Sequence, residues 1–355
     1  MAGVLTKYSF INAKLRARIS QILPDEVFHQ LGQAASVDAA LALLRDTPYA
    51  HLEEVFNTSG DLRLAELELL KSEIELYRNI RQYLHESSMP LVDTLLLRFE
   101  IDNVKNAIRI YFDRKIRGRL DESAAHYILY EPIHRPIPMD LIVNAQSFDE
   151  IAGVCRGTPY HAIVEKYGPI VESDGSLFRM EVAFDHLYYS RLTAAIQGLT
   201  RDDREIAVRL IGVEIDLLNI SWIIRFKRFY DLPLDVIEAA LIPGGFHLNR
   251  TTIEELYRAQ NVTPVLQKFV VGTYPGLSAL LASQASDSTS RLTLISHILE
   301  EIRRHEVQRI LAGYPFTIGI ILAYFLLKAD EMKKVRTILN AKHLGRPLEG
   351  IESVL

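Results

Sequence analysis

The stretch Leu64–Leu84 reads "LAELELLKSEIELYRNIRQYL", and its period decides the fold class. Leu67, Leu70, Ile74, Tyr77, Ile80 and Leu84 follow one another at three- and four-residue steps, the spacing of one face of an α-helix. Nearly every other long segment has the same period. The β-branched clusters sit inside helical patterns, and no alternating run is closed by an Asn-Gly or Asp-Gly turn. The expected fold is all-α.

Working outward from that helix, the chain repeats itself. "RDTPY" at Arg45–Tyr49 returns as "RGTPY" at Arg156–Tyr160. Ser36-Val-Asp, Ser147-Phe-Asp-Glu and Thr252-Ile-Glu-Glu each lead, eleven residues later, to Thr47-Pro48, Thr158-Pro159 and Thr263-Pro264. Each Thr-Pro reads as an N-cap hydroxyl followed by proline at the first helical position, where the missing N–H costs nothing. Ser147 with Glu150 and Thr252 with Glu255 also have the spacing of a capping box, which the first copy lacks.

Downstream, Glu100-x-x-Asn103-Val104-Lys105-x-Ala107-Ile108-Arg109 resembles Asp216-x-x-Asn219-Ile220-Ser221-x-Ile223-Ile224-Arg225 and Glu331-x-x-Lys334-Val335-Arg336-x-Ile338-Leu339-Asn340. Matching Glu100-Ile-Asp to Glu214-Ile-Asp instead would set Asn103 against Leu217, so the register that aligns the two asparagines is preferred. A third echo joins "LPLDVIEAAL" at Leu232–Leu241 to "RPLEGIESVL" at Arg346–Leu355, with Leu120-Asp121 as its counterpart in the first copy. Three elements recurring in one order, at offsets between 105 and 116 residues, point to one helical unit used three times. The boundaries are drawn as 1–125, 126–240 and 241–355.

Composition narrows the function classes. Acids outnumber bases by 45 to 40 in 355 residues, which argues against a dedicated binder of phosphate backbone, so no nucleic-acid partner is expected. The single cysteine, Cys155, cannot form an internal disulfide, which suits an intracellular compartment. The opening "MAGVLTKYSFINAKLRARIS" lacks an apolar block and a cleavage signal and is expected to be mature protein. Ile310–Leu327 is uncharged over eighteen residues, near the length of a membrane span. Gly313, Tyr314 and Pro315 interrupt it as a turn with proline early in a helix, so a buried core helix is expected.

Chemistry finds little support. There is no Gly-x4-Gly-Lys-Ser/Thr loop, Gly-x-Gly-x-x-Gly turn or Gly-x-Ser-x-Gly elbow, so no nucleotide cradle, cofactor or serine nucleophile is expected. His297, Glu301 and His305 would share one helix face, but "EEIRRHE" alternates charge as a solvated face does, and no metal is assigned. "RFKRFY" at Arg225–Tyr230 and "RKIRGR" at Arg114–Arg119 could grip phosphates, although cations near a helix C-terminus also offset its dipole. The acids Glu100, Asp216 and Glu331, each three residues before Asn103, Asn219 and Lys334, are read as structural or partner-contact positions that hold neighbouring helices or face a shared cavity.

At these residues the chain resembles the C subunit of archaeal and bacterial A/V-type rotary ATPases, the relative of the d subunit in the eukaryotic proton pump. The motifs are Tyr8-x3-Asn12-Ala13-x2-Arg16-Ala17-Arg18, Leu96-Leu97-Arg98, Glu214-x-Asp216-x2-Asn219, Pro243-Gly244-Gly245, and "YPFTIGIILAYFLLKADEMKKVRTIL" ending at Leu339. Met332 departs from the family, which more often has a charged run there. The resemblance implies three helical bundles around a pseudo-threefold axis, forming a funnel between a rotating central shaft and a membrane rotor ring. It further implies one copy per complex, a peripheral place on the cytoplasmic face, and mechanical coupling without catalysis in proton or sodium transport or ATP synthesis. The alternatives are a free-standing helical scaffold and an enzyme with a site between repeats.

Overall fold

A computed structural model of the chain describes residues 2–119, 128–274 and 288–345, with side chains from Tyr8 onward except those of residues 229, 288–294, 296 and 297. All sixteen elements among the described residues are helices. They form two compact units, residues 49–199 and residues 1–48 with 200–355.

The first of these units runs α4 (His51–Ser59), α5 (Leu62–Arg81), α6 (Met89–Lys115), α7 (Met139–Asn144), α8 (Phe148–Val154), α9 (His161–Asp174) and α10 (Phe178–Gln197). Helix α5 begins where Asp61 accepts from the Arg63 amide, and α4 and α9 end on Gly60 and Gly175, both in the left-handed region. Ile74, Tyr77 and Ile80 of α5 are buried as the period requires, whereas Leu67 and Leu70 are only half-buried. Helix α6 packs against α5, α7 and α10. Its Tyr111 meets Phe148 of α8 edge-on, ring centres 5.0 Å apart.

The other unit holds α1 (Ala2–Ile19), α2 (Asp25–Gln33), α3 (Val37–Ala42), α11 (Arg201–Tyr230), α12 (Leu234–Ala240), α13 (Arg250–Arg258), α14 (Thr263–Thr273), α15 (Ser288–Ala312) and α16 (Gly319–His343). Helix α16 packs on α1, α2, α3, α11 and α15. Val213, Leu217, Ile220 and Ile224 of α11 form one core with Leu256, Leu266, Val270, Ile298 and Ile302. Asp203, in the first turn of α11, ties three pieces of this unit together. It accepts from the Tyr8 hydroxyl at 2.7 Å, the Thr200 hydroxyl at 3.0 Å and the Ile318 amide at 2.8 Å.

Several capping expectations are corrected. Ser36 and Ser147 do cap α3 and α8, accepting from the Ala39 and Glu150 amides. Glu150, however, reaches the Gln146 amide rather than its own cap residue. The cap of α13 is Asn249, not Thr252, because a carboxamide oxygen already lies within reach of the Thr252 amide. The Thr47 and Thr158 hydroxyls donate back to the carbonyls of Leu44 and Cys155, both at 2.7 Å, and Thr158 Oγ1 also accepts the Tyr160 amide at 3.2 Å, the cap-like part of the expectation. They tighten the turns ahead of α4 and α9, which begin only at His51 and His161. Helix α14 does start at Thr263, but Asn261 receives its amide, and the threonine hydroxyl is buried without a partner.

Pro315 does not open a helix either; α16 starts four residues later, at Gly319. No helix among the described residues is long and apolar enough to cross a membrane. The echoes at Leu120-Asp121 and Arg346–Leu355 lie outside the described residues.

Candidate functional site

The recurrent polar positions all lie on three long core-lining helices, α6, α11 and α16. An acid and a polar residue three positions later share one side of a helix. Here that side is turned inward: Glu100, Asn103, Asp216, Asn219, Glu331 and Lys334 are all buried. The apolar positions in the same pattern, Val104, Ala107, Ile108, Ile220, Ile223, Ile224, Val335, Ile338 and Leu339, are buried with them.

Buried polar groups need partners, and here most partners are loop backbone. Asn103 donates from Nδ2 to the Leu129 carbonyl at 2.7 Å and accepts the Leu129 amide at 2.9 Å. One turn earlier, Glu100 Oε2 accepts the amides of His134 and Arg135 at 2.9 and 2.5 Å. Its Oε1 accepts from Arg135 Nη1 at 2.9 Å and the Tyr160 hydroxyl at 2.6 Å.

Asn219 grips Ile242 in the same two-pronged way, at 2.8 and 2.9 Å. Asp216 accepts the amides of Phe246, His247 and Leu248 at 3.0, 2.6 and 3.2 Å. Pro243-Gly244-Gly245 makes this approach possible. Gly244 has φ +95°, and a Cβ on Gly245 would collide with the Asp216 carboxylate.

The third pair differs. Glu331 accepts the Leu23 amide at 2.7 Å and Lys328 Nζ at 2.8 Å. Lys334 meets Glu300 at 3.2 Å and Asp330 at 3.4 Å, and lies over the Phe28 ring.

Both oxygens of each carboxylate are engaged, which bears on what they can do chemically. Burial raises the pKa of Asp216, and its three amide donors pull the other way. A hollow of about 430 Å³ borders Asp216 and Asn219, yet the donors already engage both Asp216 oxygens. An acid–base site would need a free carboxylate facing a cleft.

Several residues of the other candidates make structural contacts. Arg114 donates to the carbonyls of Val143 and Ala145, both at 2.8 Å, and Arg117 lies over Phe112. Lys227 pairs with Asp231 at 2.9 Å at the end of α11. Glu301 pairs with Arg304 at 3.1 Å, His305 stacks edge-on near Tyr274, and the His297 side chain lies outside the described residues. No group of His, Cys, Asp or Glu that could hold a metal occurs among the described residues. Cys155 is buried, which pushes its thiol up to about 12, far from a reactive thiolate.

Sequence reading missed the partners of the clamps. Tyr160 is the terminal residue of "RGTPY", and its enclosed ring delivers the hydroxyl to Glu100. The repeated stretch was therefore a signal for a buried tyrosine as much as for a helix start; Tyr49, its counterpart, is equally enclosed. Two ion-pair groups were also missed. Asp185 of α10 receives Lys105 at 3.0 Å and Arg98 at 3.3 Å, and Glu306 of α15, wholly enclosed, receives Arg209 at 2.9 Å and Arg309 at 3.1 Å. The motif Tyr8, Asn12 and Arg16 lies at four-residue steps on α1. Tyr8 holds Asp203, and Arg16 holds the Leu311 carbonyl at 2.9 Å while donating to Asn12.

The family described as ATP synthase (C/AC39) subunit matches residues 11–354. The chain is 24% identical over 338 residues to the A-type ATP synthase C subunit of Methanosphaera stadtmanae, covering 94% of this chain and 84% of that one. It is 25% identical over 352 residues to the protein of the same name in Thermococcus gammatolerans, covering 99% and 90%. The corresponding Pyrococcus horikoshii protein is 25% identical over 334 residues, covering 94% and 86%. Matched almost from end to end, the chain belongs to the ATP synthase (C/AC39) subunit family.

Proposed function

We propose that the chain is the non-catalytic central-stalk adaptor of an A/V-type ATP synthase, coupling the rotating shaft to the membrane rotor ring during proton or sodium transport. The observation that carries this reading is the family match over residues 11–354, together with relatives named as the C subunit of A-type ATP synthase along nearly their whole length. The adaptor sits on the cytoplasmic face, one copy per complex, and reaches the bilayer only through the ring.

In this reading the chain is three like modules, near 1–125, 126–240 and 241–355, arranged as a funnel about a pseudo-threefold axis. The helix order supports the modules. Pro24, Pro138 and Pro233 precede α2, α7 and α12, Ser36, Ser147 and Asn249 cap the next helix, and α6, α11 and α16 each come fifth when α12, just ahead of the boundary near 241, is counted with the third module. Helix α1 stands outside this count. The recurrent pairs are then module-to-module clamps: a long helix of one module grips the backbone that leads into the next. Torque carried through such a part needs fixed register between stiff elements, which buried bonds to main chain supply better than long surface ion pairs.

The test is a pull-down of the purified chain with the shaft subunits and, separately, with the detergent-solubilised rotor ring, followed by native mass determination. A folded chain that bridges both fits the adaptor. One that binds neither removes the coupling role and leaves a free-standing scaffold.

A further inference from the structure

The three clamps do not hold equivalent stretches of chain. Asn103 and Glu100 hold residues 129–135, and Asn219 and Asp216 hold residues 242–248, in each case the segment that follows soon after the helix doing the holding. Glu331 instead holds Leu23, 308 residues away towards the other end of the chain. In the three-module reading, on which this inference rests, two junctions are covalently continuous and the third is where the two ends of the chain meet.

Of the three clamp pairs, the third also takes the fewest main-chain groups among the described residues. Glu331 takes a single backbone amide, whereas Asp216 takes three. Lys334 stands in the register of Asn103 and Asn219, but an ammonium has no acceptor and cannot grip an N–H and a C=O together. Its ion pairs go to Glu300 and Asp330, on α15 and α16 themselves, and across the junction it meets only the face of the Phe28 ring on α2, not main chain. What else joins α1–α3 to the rest is the buried bond of the Tyr8 hydroxyl on α1 to Asp203 of α11, apolar packing of Ile11, Leu15, Leu31 and Leu41, and side-chain bonds nearer the surface. Among the latter are Arg16 to the Leu311 carbonyl, Lys342 to the Gly32 carbonyl and Arg304 to Asp25. Apolar packing is non-directional and re-forms readily, whereas a buried two-pronged amide grip fixes one register.

We propose that the junction of α1–α3 with α16 is the seam at which this fold opens. The segment from Leu23 to Ala42 loosens from α16 while the grips on Leu129 and Ile242 stay closed. An adaptor that closes around a shaft can then part and close again without breaking either of the stronger clamps.

The test is residue-resolved amide hydrogen exchange on the intact chain without partners. The Leu23 amide is expected to exchange about tenfold or more faster than those of Leu129 and Ile242, because local opening need not break the other two junctions. Glu331→Gln should raise exchange in residues 22–33 and leave 129–135 and 242–248 unchanged. A smaller difference between the wild-type amides, or a variant that speeds all three segments alike, overturns the seam. Exchange is read on the isolated chain, so that result leaves the adaptor role standing. Failure to bind shaft and ring would remove the adaptor role whatever the exchange pattern.

Discussion

Replacing Asn219 by alanine tests the claim that these positions act as clamps rather than as incidental buried polar residues. The side chain meets both the N–H and the C=O of Ile242, a residue only 2% exposed. Truncation leaves a buried N–H and a buried C=O unmet, and each such group costs about 1–3 kcal/mol. Entry of one water into the space left by the carboxamide offsets part of that, so the expected loss is about 2–4 kcal/mol. Asn103→Ala should cost a similar amount, since Leu129 is held in the same way. Lys334→Ala removes no bond to main chain, and its cost comes instead from Glu300 and Asp330 losing their cation. Urea unfolding followed by circular dichroism, with hydrogen exchange across 238–250 as a local readout, measures the effect. An Asn219→Ala variant losing less than about 0.5 kcal/mol, with unchanged exchange at Ile242, would refute the clamp reasoning.

Three further outcomes follow from particular contacts. Gly245→Ala should destabilise by about 2 kcal/mol or more in thermal melts, because its Cβ would displace an Asp216 carboxylate that three amides hold in place. Arg209 and Arg309 overcome the opposing effect of burial and hold Glu306 below its ordinary value of 4.5. Its unfolded form therefore binds the extra proton, so its stabilisation is present above about pH 4.5 and is lost as pH falls through the lowered value; Arg209→Gln should flatten that acid limb in urea titrations. Cys155 should resist iodoacetamide at pH 8 in the folded chain and react once urea unfolds it, because burial pushes its thiol up to about 12; rapid native labelling would contradict the enclosed site.

Local periodicity carried the helical class, since an amphipathic face is a property of neighbours in sequence. Ile74, Tyr77 and Ile80 are buried as their spacing requires, and the acid-to-polar pattern on α6, α11 and α16 was legible as a recurring string. Cap assignments were less secure because neighbouring polar side chains offer alternative helix starts and a hydroxyl can donate as well as accept. Asn249 rather than Thr252 caps α13, and the Thr158 hydroxyl donates to the Cys155 carbonyl while accepting the Tyr160 amide. Both depend on backbone angles that the residue types permit without dictating.

What the sequence determined by itself is therefore the helices, the recurring acid-polar pairs and the family resemblance, all properties of order along the chain. What only the tertiary structure decided is what the pairs hold. Nothing near Glu100 in sequence announces the Tyr160 hydroxyl, and nothing near Glu331 announces the amide of Leu23. A buried carboxylate must be satisfied by whichever donors packing brings to it, and those donors are set by how distant helices close on one another rather than by local propensity.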